Sequence, residues 1–174
     1  MLTEFQQSKL GYMFDVYDAD KNGYLEESDF IQVGDRFDKA LNLPADHGSN
    51  WFKGFWSGLA PAAGPNGQVS RAAWLHHLDQ LWSDPAVYEA TILAGVSFYF
   101  SALDANGDGT INATEYRKFF AVMGLDEGLA DQVFPHLDTN GDGAINHAEY
   151  SQLVREFYGD DRAAPGNWLL GPLT

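Results

Sequence analysis

The chain has 174 residues, 45% of them hydrophobic and 14% aromatic. That is enough for one large domain or two small lobes around a real core, and it argues against a disordered acidic chain. Twenty-five acidic against 10 basic side chains give a formal charge of -15, so a basic nucleic-acid footprint is absent. The chain contains no cysteine, which excludes disulfides and thiolate metal sites.

The first residues, MLTEFQQSKL, show no basic segment followed by an apolar core, so no secretory signal is expected. Leu2 stands where N-myristoylation needs Gly. A cytoplasmic, soluble protein is the expectation. A helix is predicted over 4–17, with Leu10, Met13, Phe14 and Tyr17 at helical spacing. It leads into DADKNGYLEESD at 18–29, loop I. Oxygen side chains stand at loop positions 1, 3 and 5, Gly at 6, an aliphatic residue at 8 and a carboxylate at 12, the spacing of an EF-hand calcium loop.

Helices over 27–41 and 47–59 follow. The segment after residue 59 looks like a second EF-hand loop that has lost its metal. Phe52, Phe55, Trp56 and Leu59 align with the other entering helices and start this loop at Ala60. The exit helix, predicted over 70–82, ends it at Ala73, two residues too long. No Asp or Glu occurs between Lys53 and His76, and a hard cation needs charged oxygen ligands. Loop II is therefore expected to be structural, with Val69 pairing against Leu25 of loop I.

Asp84-Pro85 is a helix start with Pro at the first position. With only Ser83-Asp84-Pro85 between them, the two EF-hand pairs, 1–82 and 85–158, are expected to pack together as one globule. In the helix predicted over 85–103, the apolar run ATILAGVSFYFSAL is broken by Gly95 and is short for a membrane span. Loop III is DANGDGTINATE at 104–115, between helices at 85–103 and 113–123. Loop IV is DTNGDGAINHAE at 138–149, between helices at 127–137 and 147–158. Ile111 and Ile145 should form their shared strand pair. Pro135 in the last turn before loop IV removes one helix hydrogen bond, so a kink is expected there. In the tail from 159, Trp168, Leu169, Leu170 and Leu173 are expected to dock on the core. The fold class is thus all-α, with four EF-hands in two pairs and short strands between paired loops.

Ca²⁺ takes about six to eight oxygens. The expected ligands are Asp18, Asp20, Asn22, the Tyr24 carbonyl and Asp29 in loop I. In loop III they are Asp104, Asn106, Asp108, the Thr110 carbonyl and Glu115. In loop IV they are Asp138, Asn140, Asp142, the Ala144 carbonyl and Glu149. Asn112 and Asn146 hold position 9, where a water often mediates contact. Asp29 is one methylene shorter than Glu, which favours six-coordination and so suits Mg²⁺ better; Glu26 at position 9 can compensate with its charge. Three Ca²⁺ sites are expected, with Mg²⁺ competing at loop I.

Catalytic signals are weak. His76 and His77 are adjacent, about 100° apart on a helix, and do not make a metal pair. His47, His136 and His147 stand alone, and no phosphate loop or nucleophile elbow is present. The chain is not expected to be an enzyme.

With loops I, III and IV active and loop II degenerate, the chain resembles the sarcoplasmic calcium-binding protein family, above all its prokaryotic calerythrin-type members. The likeness extends over nearly the whole chain, including the tail NWLLGPL. It implies a compact four-EF-hand protein that buffers calcium, exchanging with Mg²⁺. Neither a protein partner nor a membrane is expected to be required. Asp29, the long loop II and Pro135 depart from that pattern. Calcium-triggered photoproteins share the active-loop pattern, so a luciferin-type ligand is a third reading beside buffer and sensor. It wants a His on the last helix, where only His147 occurs, still inside the loop. Sensor grooves use Met as adaptable lining, and Met occurs only at 1, 13 and 123. A closed monomeric buffer is therefore preferred.

Overall fold

Among the described residues, 1–41 and 43–172 of a computed structural model, the chain forms eight α-helices and two short antiparallel strand pairs. The helices are α1 (Glu4–Tyr17), α2 (Glu27–Ala40), α3 (His47–Leu59), α4 (Arg71–Leu81), α5 (Pro85–Leu103), α6 (Ala113–Met123), α7 (Glu127–Leu137) and α8 (His147–Tyr158). Each lies within a residue of its predicted bounds. The strands are β1 (Tyr24–Leu25), β2 (Val69–Ser70), β3 (Thr110–Asn112) and β4 (Ala144–Asn146). Leu25 pairs with Val69 and Ile111 with Ile145, as the spacing predicts. The chain divides into two units, Met1–Tyr88 and Glu89–Thr174.

In the first unit, α1 starts at a reciprocal cap. The Thr3 hydroxyl accepts from Gln6 N–H at 3.2 Å, and the Gln6 side chain accepts from Thr3 N–H at 3.0 Å. The buried faces of these helices meet in a chain of aromatic rings. Tyr17 and Phe30 lie 5.7 Å apart, Phe30 and Phe55 5.3 Å, and Phe37 and Phe52 5.2 Å. Each such ring taken out of water contributes about 1.5–3 kcal/mol. The Trp74 indole N–H donates to the Leu10 carbonyl at 2.9 Å, so the exit helix of loop II is bonded to the entering helix of loop I. Helices α2 and α3 approach closely because Gly34 has no side chain: a Cβ there would stand 2.8 Å from the Ser49 Cα. Asp38 then caps α3 from outside, accepting from Gly48 N–H, Ser49 N–H and the Ser49 hydroxyl.

In the second unit, Tyr116, Phe120, Phe134, Leu137, Ile145 and Leu153 are buried. Helix α7 runs through Pro135 to Leu137. Helix α5 differs from the sequence reading. At 19 residues it is long and apolar enough, by length and composition, to cross a membrane. It is also the entering helix of loop III, and its Glu89 forms a two-pronged ion pair with Arg155 of α8, at 2.7 and 2.6 Å. The guanidinium holds the Glu89 carboxyl below its ordinary pKa.

The tail packs on the second unit through a 3-10 turn at Pro165–Trp168. Gly166 N–H donates to Glu156 at 2.9 Å, and Trp168 stacks on His136 with ring centres 4.2 Å apart. The buried Tyr116 hydroxyl donates to the Leu169 carbonyl at 2.6 Å. Burial pushes that phenol well above its ordinary pKa, so it remains a neutral donor. Leu169 and Leu170 are buried; Leu173 lies outside the described residues.

Candidate metal centres

Each acidic loop begins where its entering helix ends. The N–H of Asp18, Asp104 and Asp138 makes the last helical bond, to the carbonyls of Phe14, Phe100 and Phe134 at 3.0, 2.9 and 3.0 Å. From there the three loops repeat one hydrogen-bond scheme. The position-1 carboxylate accepts from the N–H groups at positions 5 and 6. Those distances are 3.1 and 2.9 Å at Asp18, 3.0 and 3.0 Å at Asp104, and 3.2 and 2.8 Å at Asp138. The position-3 oxygen accepts from the position-5 N–H: Asp20 from Asn22 at 3.0 Å, Asn106 from Asp108 and Asn140 from Asp142 at 2.8 Å. The position-5 oxygen in turn accepts from the position-7 N–H of Tyr24, Thr110 or Ala144, at 2.9, 2.9 and 3.0 Å.

Side chains bound this way point inward along a tightly wound backbone. The winding needs a left-handed residue at position 6, and Gly23, Gly109 and Gly143 supply it with φ of 87°, 85° and 90°. Position 4 is also left-handed, held by Gly107, Gly141 and, in loop I, Lys21 at φ 60°.

The position-12 carboxylate closes each loop. It accepts from the position-9 N–H at 2.8 Å for Asp29, 3.0 Å for Glu115 and 3.1 Å for Glu149. Asp29 thus makes the same backbone bond as the longer Glu, and its other oxygen accepts from Ala19 N–H at 3.0 Å. In loop I an oxygen each from Asp18, Asp20 and Asp29 lies within 4.8 Å of the other two. Two oxygens on opposite sides of one Ca²⁺ stand about 4.6–5.2 Å apart, so the spread fits a single hard cation. Asp29 is wholly buried, and desolvation raises its carboxyl pKa against the lowering pull of the Glu26 and Ala19 N–H groups. Asp108 is shifted the other way, below its ordinary value, by the Thr110 hydroxyl and the Asn106 amide.

Position 9 departs from the sequence reading. The Asn112 side-chain oxygen accepts from Thr114 and Glu115 N–H at 2.9 and 3.1 Å, and Asn146 from Ala148 and Glu149 N–H at 2.9 and 3.0 Å. Both cap the exit helices, the ordinary work of Asn before a helix. Glu26 differs: it stands in a reciprocal capping arrangement with Asp29, whose N–H donates to the Glu26 backbone carbonyl at 3.1 Å, and its side chain makes no cap bond like those of the two Asn.

Loop II carries no acid. Ten residues, 60–69, lie between α3 and the capping Ser70, against eight in each acidic loop. A 3-10 turn at Ala60–Ala62 takes up part of the excess. His147 meets the edge of Phe100 at 4.9 Å.

Comparison with known proteins agrees with this architecture. The EF hand family model matches residues 96–120 and 129–154. The sarcoplasmic calcium-binding protein of Perinereis vancaurica tetradentata is 32% identical over 170 residues, 95% of this chain and 97% of that protein. Calerythrin of Saccharopolyspora erythraea is 28% identical over 143 residues, 77% of this chain and 81% of its own. Among solved structures, okadaic acid binding protein 2.1 superposes with a TM-score of 0.78 at 19% identity, covering 99% of this chain and 97% of that one.

Proposed function

This chain belongs to the sarcoplasmic calcium-binding protein family, and from that premise we propose that it is a cytoplasmic calcium buffer with three metal sites. Calcium binding goes with the family; the buffering role and the number of sites are the proposal. Its main support is the hydrogen-bond scheme common to loops I, III and IV, which orients an oxygen set of the same kind three times. Such hard, charged donors match Ca²⁺. Loop II, with neither Asp nor Glu, takes no ion.

The tail favours a buffer over a sensor. It packs on α6, α7 and α8 with the chain's own residues, surface that a partner helix would otherwise need. Calorimetric titration of metal-stripped protein is expected to return three Ca²⁺ per chain. A stoichiometry of two would remove loop I from the account, and none would remove the account itself.

Asp29 sets the balance at loop I between Ca²⁺ and Mg²⁺. A shorter carboxylate favours the six-coordinate shell that Mg²⁺ demands. Asp29→Glu is therefore expected to raise the preference of loop I for Ca²⁺. Competitive titration of the two ions would read this as a higher ratio of affinities, and an unchanged ratio would contradict it.

A further inference from the structure

The acid-free loop faces loop I across the strand pair. Tyr24 lies opposite Ser70 and Leu25 opposite Val69. Continuing that antiparallel register by one step sets Glu26 against Gln68. The two side chains meet there: the Gln68 amide nitrogen donates to Glu26 Oε1 at 2.5 Å. The orientation of that amide is fixed from its other end, because the Asn66 side-chain amide donates to Gln68 Oε1. A carboxylate can only accept, so Gln68 must present its NH₂ to Glu26 and its oxygen to Asn66. The backbone is also tied, with Gly64 N–H donating to the Gln68 carbonyl at 2.9 Å.

At the same loop position, Asn112 and Asn146 are committed to capping their helices. Glu26 is not. Its Oε1 is held by Gln68. Position 9 is where an EF-hand loop adds a ligand, directly or through water.

We propose that Gln68 is a positioning residue for the loop I metal site: its amide holds the Glu26 carboxylate in place beside the Asp18, Asp20 and Asp29 cluster, where it serves the ion through one water. This rests on the reading of loop I as a metal site and assigns the metal-free loop a part in it. A negatively charged extra donor favours the larger, more fully ligated Ca²⁺ over Mg²⁺, which keeps waters. Loop II thus offsets part of the shortfall left by Asp29.

The test uses Tb³⁺, which stands in for Ca²⁺, on the full chain. Tyr24 at position 7 of loop I can sensitise the ion's emission, whereas Thr110 and Ala144 fill that position in loops III and IV. Displacement by Ca²⁺ and by Mg²⁺ is then measured, with Tyr24→Leu as the control for signal from the other loops. Fixing one rotamer-rich side chain in advance is worth up to about tenfold in affinity, so Gln68→Ala is expected to weaken Ca²⁺ at loop I by about fivefold and Mg²⁺ by less. In a Glu26→Ala background the same change should have no further effect, because Gln68 acts through Glu26. A Gln68→Ala effect that persists without Glu26, or that shifts both ions equally, would mean a merely structural role. Unchanged affinities would overturn the proposal alone. Absence of any Tyr24-sensitised signal in the unaltered protein would overturn the loop I site and the proposal with it.

Discussion

Glu149→Gln is expected to lower the Ca²⁺ affinity of loop IV by at least about a hundredfold, since loss of outer-shell partners alone costs metal sites about 10–100-fold. Glu149 closes the loop: one oxygen accepts from Asn146 N–H at 3.1 Å and its side-chain amide at 2.7 Å, the other from the Thr139 hydroxyl at 3.1 Å. The amide keeps the shape but turns one acceptor into a donor and removes a charge. Whichever way it is turned, an NH₂ group faces either the cation or a donor already in place. Calorimetry should count one tight site fewer than in the unaltered protein. Unaltered binding at all three sites would refute the role given to Glu149.

Gly166→Ala should act by a different route, through the tail. A Cβ at this position would stand 2.1 Å from the Leu153 carbonyl oxygen and 2.7 Å from the Glu156 Cβ. Neither backbone nor helix can retreat that far, so the tail either stays under strain or leaves its seat on α8. Staying costs about 1–3 kcal/mol of overpacking. Leaving takes the Leu169 carbonyl from the Tyr116 hydroxyl, at about 1–3 kcal/mol. A loss of about 2 kcal/mol by either route corresponds to a fall in melting temperature of about 4–8 °C for a chain of this size. Thermal unfolding of the calcium-loaded protein would read it, and an unchanged midpoint would show that the tail does not depend on this contact.

Helix positions were largely legible in the sequence because the loops punctuate the chain. A twelve-residue metal loop sets both the end of one helix and the start of the next, so Tyr17, Leu103 and Leu137 end α1, α5 and α7 where the first Asp of each loop requires. The pairing of Val69 with Leu25 followed from aligning the degenerate hand with the others. Side-chain partners were less legible. Asn112 and Asn146 were read as sites for a bridging water, although Asn just before a helix is equally a capping signal; both roles use the same oxygen, and only geometry separates them. The link between Gln68 and Glu26 could have been reached by extending the strand register one residue, but its chemistry depends on Asn66 turning the amide. The seat of Gly166 against α8, and the stack of Trp168 on His136, join residues distant in the chain and left no local mark. The apolar run from Ala90, with Gly95 inside it, reads as too short to span a membrane, whereas the whole helix from Pro85, at the bounds the sequence predicts, is long and apolar enough by length and composition.

In a buffer, filling the sites leaves the apolar core closed. Calcium titration of metal-stripped protein at millimolar Mg²⁺, followed with a dye that brightens on exposed apolar surface, addresses it most directly. A buffer predicts fluorescence that stays flat or falls as the sites fill. A rise that saturates with site occupancy would mean that calcium opens a binding surface, and the protein would then be a sensor.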